Sequence, residues 1–141
     1  MFLSLVAYLV TLFVFAGVDM IWLTWVGGPA YRATLGDVLL QDVRVGPAIA
    51  FYLVYAVGLA TFAVLPSLGD SPMSQTLLRG AQFGFFTYAT YDLTNLATLK
   101  NWTLTVTLMD IGWGCALGAI AAAVAAALTP VIVTHLGGSI S

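Results

Sequence analysis

An all-α membrane protein is the fold class that this sequence predicts: four transmembrane helices in an antiparallel bundle, with a short interfacial helix between helices 1 and 2. Three observations predict it. Of 141 residues, 61% are hydrophobic and 7% are charged, whereas a soluble domain carries about 25% charged residues. Mean hydropathy is +1.02. Four apolar stretches each approach the roughly 20 residues that a helix needs to cross the hydrocarbon core. The chain reads as a single transmembrane domain, 1–141, with spans at about 2–26, 47–65, 76–97 and 103–129.

The first span begins at Phe2, and Gly27-Gly28-Pro29 is expected to stop it. It lacks a basic leader and exceeds a signal peptide's apolar run, so it reads as a retained span. Residues 30–41 form the expected interfacial helix. There Tyr31, Leu35, Val38 and Leu39 recur at helical spacing, while Arg32, Thr34, Asp37 and Gln41 fall elsewhere on the wheel. The second span opens at Pro47, a favoured first-turn residue, and ends before Pro66. It is uncharged, with Tyr52 and Tyr55 among its few polar groups. The third runs from Thr76 to Ala97, and the fourth is expected to end near Pro130. Short connections predict antiparallel neighbours. The spacings Gly80-xxx-Gly84 and Gly114-xxx-Gly118 predict close packing of spans three and four.

Several function classes lack their residues. Four Lys/Arg and a net charge of −2 make no basic patch, so nucleic acid is not an expected partner; membrane lipids are. The single cysteine, Cys115, cannot form an intramolecular disulfide. No cofactor and no metal are expected: haem, iron–sulfur and zinc sites lack ligands, and no span holds a lysine for retinal. No serine–histidine or cysteine–histidine couple is available, which leans away from an enzyme. Arg32, Arg44 and Lys100 in loops one and three, against Arg79 in loop two, favour cytoplasmic loops one and three and both termini outside.

The chemistry should lie with three aspartates inside apolar stretches, Asp19, Asp92 and Asp110. A carboxylate at membrane depth is costly unless it is paired, protonated or facing water. Each lies about seven residues, or roughly 10 Å, from the same membrane surface, so the three should approach within about 10 Å of one another. Polar and aromatic company falls on the same stripes: Trp22 with Asp19, Tyr88 and Asn95 with Asp92, and Trp113 with Asp110. Asp-x-x-Trp occurs twice, and an i,i+3 indole N–H can donate to a carboxylate. Two readings stay open. The aspartates are held structurally by indoles, Tyr88, Asn95, Arg32 or Lys100, with Asp110 a possible N-cap; or they share a proton or hold a cation, because like charges so close cannot all ionise.

Phe51-Tyr52-Leu53, the run from Tyr88 through Tyr91-Asp92-Leu93-Thr94-Asn95 to Leu99, and Asp110-Ile111-Gly112-Trp113-Gly114 resemble the DUF2177 family of small bacterial integral membrane proteins. The resemblance covers nearly the whole chain. It implies a multi-pass protein of the bacterial inner (cytoplasmic) membrane and assigns no activity to any position.

The expected function is proton- or cation-linked binding or transport of a small molecule at Asp19, Asp92 and Asp110, lined by Trp22, Trp113, Tyr88, Tyr91 and Asn95. Four helices enclose little volume, so transport calls for a homo-oligomer. One alternative is an accessory subunit of a larger membrane complex, with the uncharged second span and Ala121–Ala127 facing partners. Another is an intramembrane lipid- or isoprenoid-modifying enzyme using the carboxylates as acid–base groups or metal ligands.

Overall fold

A computed structural model of the protein describes residues 1–139; within that range the side chain of Asp37, placed above on the polar face of residues 30–41, lies outside the description. The described chain is helical, with no strand. Its α-helices are α1 (Phe2–Trp22), α2 (Gly28–Leu35), α3 (Val45–Leu59), α4 (Met73–Thr98) and α5 (Leu104–His135). Three helical runs are long and apolar enough to cross a membrane: Phe2–Leu35, Val45–Ser67 and Leu104–His135. The 26-residue α4 is also long enough, but Arg79, Asp92, Asn95 and its threonines make it less apolar. Large apolar side chains such as Phe13, Val54, Phe62 and Phe86 are exposed on the outside, as a lipid-facing surface requires.

Gly27-Gly28-Pro29 does not stop the first helix, contrary to expectation. A π-turn, Leu23–Gly27, carries the chain from α1 into α2. The N–H of Gly28 bonds to the carbonyl of Leu23, five residues back, and this wider turn makes room for a proline, which has no N–H to give. Both glycines are sterically required. A Cβ at Gly28 would run into the Leu23 carbonyl, and one at Gly27 into the Trp22 indole. The same device precedes Pro66, where Leu65 N–H bonds to Ala60 across the π-turn Ala60–Val64.

The expected helix over 30–41 is therefore shorter and not separate. It is α2, ending at Leu35, followed by a 3-10 turn at Gly36–Val38. Its apolar stripe is used inside the protein: Leu35 is buried against Trp102 and Val106, with Tyr31 and Leu96 packed alongside. Pro130 does not end α5 either, which continues to His135. Neighbouring threonine hydroxyls bond back to the chain, Thr129 to the Ala125 carbonyl and Thr134 to the Pro130 carbonyl. The last turn is held by the fully buried Val133. Of the run Ala121–Ala127, expected to face partners, Ala121, Ala122 and Ala125 are fully buried within the chain, while Val124 and Ala127 remain exposed.

Helices α4 and α5 make the closest contact. Gly80 meets Gly118 and Gly84 meets Gly114, in opposite order along the two helices. A Cβ at Gly80, Gly84 or Gly118 would collide with the facing backbone carbonyl. Small residues bring the backbones this close where lipid supplies no hydrophobic drive. Elsewhere aromatic rings fill the core. Phe15 of α1 stacks on Tyr55 of α3 at 4.2 Å, and Tyr55 meets Phe83 of α4 edge-on at 5.2 Å.

Gly84→Ala and Gly118→Ala should each destabilise the protein by about 1–3 kcal/mol through overpacking. Gly112→Ala, where a Cβ meets nothing within 4 Å, should be neutral or stabilise by up to about 1 kcal/mol. Reversible unfolding in mixed micelles measures the difference. Equal losses at Gly84 and Gly112 would refute the close contact.

Candidate functional site

Asp19 lies in the last turns of α1, Asp92 near the end of α4 and Asp110 in the second turn of α5. The fold brings all three to one end of the bundle, where α3 also begins. They are buried, with 4%, 0% and 5% of their surfaces exposed. Asp110 is not an N-cap; Thr103 is, accepting a bond from Val106 N–H.

The two Asp-x-x-Trp pairs are not satisfied within their own helices. Trp113 of α5 donates its indole N–H to Asp19 Oδ1 of α1 at 3.2 Å. Trp22 of α1 stacks flat on Trp113, with ring centroids 4.4 Å apart and planes at 5°. The N–H of Trp22 lies near the Tyr31 hydroxyl without forming a hydrogen bond. The donor thus crosses between helices, because the indole stack aims Trp113 at the neighbouring helix.

Two tyrosines complete the arrangement. Tyr52 of α3 donates to Asp19 Oδ2 at 2.8 Å, and Tyr31 of α2 donates to Asp110 Oδ1. Neither residue was placed at the site from the sequence. Tyr31 belongs to the helix expected in the interface, and Tyr52 to the uncharged second span. Tyr52 and Tyr55, three residues apart on one helical face, were the available signal.

Asp92 is different. Both its carboxylate oxygens are buried without any N–H or O–H donor, and the carboxyl of Asp110 is the charged group beside it. Asn95, one turn further along α4, also has a buried Nδ2 without a partner. Arg32 and Lys100, the cations considered for these aspartates, are exposed. Arg79 is occupied at the other end of the bundle, donating to the Pro66 carbonyl at 2.6 Å and to Ser67 Oγ at 3.1 Å.

A cavity of about 430 Å³ opens onto this end. Of the residues expected at the site, Asp19, Trp22, Tyr88, Tyr91, Asp110 and Trp113 line it. Asp92 and Asn95 do not; Asp92 stands behind Asp110. Leu23, Tyr31, Ala48, Phe51, Tyr52, Tyr55 and Thr87 join the lining, so α3 contributes more residues to the wall than α4. Tyr88 lies over Gly114, where a Cβ would strike its ring. Among the described residues, no three Asp, Glu, His or Cys side chains come together closely enough to hold a metal ion.

A family model described as "Predicted membrane protein (DUF2177)" matches residues 4–127. No curated protein and no solved structure matches the chain.

A double-mutant cycle between Asp19→Asn and Trp113→Phe should show a coupling of about 1 kcal/mol, the range of a hydrogen bond to a carboxylate after solvation is discounted. The corresponding cycle between Asp110 and Trp113, neighbours on one helix, should show less than half of that. Stronger coupling within α5 than across to α1 would contradict the crossed arrangement.

Proposed function

The chain belongs to the DUF2177 family of predicted membrane proteins, and from that premise we propose that it is a four-helix antiparallel bundle of the bacterial inner membrane that binds a small molecule in exchange for a proton or a cation. In this reading α4 is the fourth crossing. Of its polar residues Thr76 and Asp92 are buried, and Thr90, Thr94 and Thr98 bond back along the helix to carbonyls four residues earlier, while Gln82 stays exposed. The segment α2 lies at the membrane surface and closes the end of the bundle over the α4–α5 junction.

One observation carries the binding reading: three buried carboxylates, two of them lining a cavity and none facing a lysine or arginine. Breaking a buried ion pair by removing one partner is costly because a charge is left uncompensated, and here no compensating cation is built in. The carboxyls must therefore share at least one proton or receive a cation from outside. Asp92, which no N–H or phenol reaches, lies beside Asp110, and a proton shared between them would let one carboxyl donate and the other accept. A cavity of about 430 Å³ falls within the roughly 300–1,000 Å³ of small-molecule sites. Binding thus needs no second copy of the chain.

An Asp92→Asn variant removes a charge while keeping the shape of the side chain. It should fold, with stability unchanged or raised, and lose the pH dependence of melting in detergent. A folded state that holds a proton released by the unfolded chain loses stability as pH rises, so the wild type should show that decline and the variant should flatten it. A loss of about 3–5 kcal/mol at every pH would instead identify Asp92 as the partner of a buried cation, which defeats the proposal.

The four-crossing topology has its own test, in a Cys115→Ser background. Cysteines at positions 38 and 99 should be labelled by an impermeant reagent from one side of the membrane, and a cysteine at position 70 from the other. Labelling of 38 and 99 from opposite sides would remove α4 as a crossing.

A further inference from the structure

The cavity is aromatic to an unusual degree. Eight of its thirteen lining residues are Phe, Tyr or Trp, and five of the chain's six tyrosines are among them. None of the thirteen is Lys, Arg or His, while two are the buried Asp19 and Asp110. Aromatic rings present the negative side of their quadrupole at the face. The carboxylates add formal negative charge at the same wall, and behind Asp110 stands Asp92, fully buried with no donor on either oxygen. Phenol and indole donors already satisfy Asp19 in part, so its remaining demand is for charge rather than for another hydrogen bond.

From this we infer that the ligand is an organic ammonium ion, a protonated amine or quaternary ammonium on an apolar body. The inference rests on the binding reading above and names its ligand class. A divalent metal wants several oxygens converging on one point, and the acidic side chains do not gather in that way. An anion would be repelled by the carboxylates. An ammonium ion, by contrast, is stabilised by a diffuse negative surface, and cation–π contact is strongest where water is excluded. The exchange balances in charge: the ammonium ion enters and the proton held by the aspartates leaves. A free amine and the headgroup of an ethanolamine or choline lipid offer the same chemistry.

The test uses the full chain in maltoside micelles, with benzyltrimethylammonium as the probe and neopentylbenzene as its uncharged isostere. Binding is read from the fluorescence of Trp22 and Trp113 and by calorimetry. The charged probe should bind at least about tenfold more tightly than the isostere, release protons on binding and weaken as pH falls. Asp19→Asn and Asp110→Asn should each weaken the probe by about tenfold or more while leaving the isostere unchanged, so a variant that merely misfolds is recognised by losing both. Added phosphatidylethanolamine or phosphatidylcholine should compete with the probe if the occupant is a lipid headgroup. If it is a free amine, these lipids should act no differently from phosphatidylglycerol. Equal binding of probe and isostere would overturn the ammonium assignment yet leave a binding cavity in place. No binding of the probe would also overturn it; the binding reading itself is decided separately, by the pH profile and the stability of Asp92→Asn in melting.

Discussion

A carboxylate inside a bundle of apolar helices needs donors, and its own helix has none to spare because the backbone N–H groups are already used. Asp19 finds them on two other elements, the indole of Trp113 on α5 and the phenol of Tyr52 on α3. Asp110 finds one on α2, through Tyr31. These bonds join α1 to α3, α1 to α5 and α2 to α5 at one end of the molecule. Interhelical hydrogen bonds in membranes average only about 0.6 kcal/mol, so they do not hold the bundle together. What they supply is register: a shift of one residue along any of these helices rotates its polar group away from its partner.

Cohesion comes from elsewhere. The Gly80–Gly118 and Gly84–Gly114 contacts let α4 and α5 lie backbone to backbone, and the rings of Phe15, Tyr55 and Phe83 fill the space that the closer pair leaves beside it. Tyr88 links the two systems. Its ring lies over Gly114 and its side chain lines the cavity, so the tight helix pair positions one wall of the site.

The prolines have a part in the same geometry. Pro29 and Pro66 each follow a π-turn rather than a break. The first of these turns rephases the helix between Trp22 and Tyr31, and this sets one of them against Trp113 and the other against Asp110. A helix that stopped at Gly27, as a Gly-Gly-Pro sequence suggests, would leave Tyr31 free of the site. Proline marks where a regular bond is lost. Whether the chain then turns away or continues in a wider turn is settled by packing, here the burial of Leu35 against Trp102 and Val106.

Composition and spacing alone determined the helical class, the presence of the long apolar helices though not their ends, the facing glycines and the depth at which Asp19, Asp92 and Asp110 are buried. These follow from local or periodic causes: apolar runs of sufficient length, small residues four apart, and charged groups where charge is expensive. Six of the eight residues expected at the site line the cavity. The tertiary structure decided which donor serves which carboxylate, brought Tyr31, Tyr52 and Tyr55 into the wall and left Asp92 behind it. None of that is periodic along one helix. It depends on the rotation of each helix about its axis relative to its neighbours, which a single strip of sequence does not encode. The crossed Trp113–Asp19 bond exists only because two indoles stack between α1 and α5, so the donor lies nearer to the foreign aspartate than to its own.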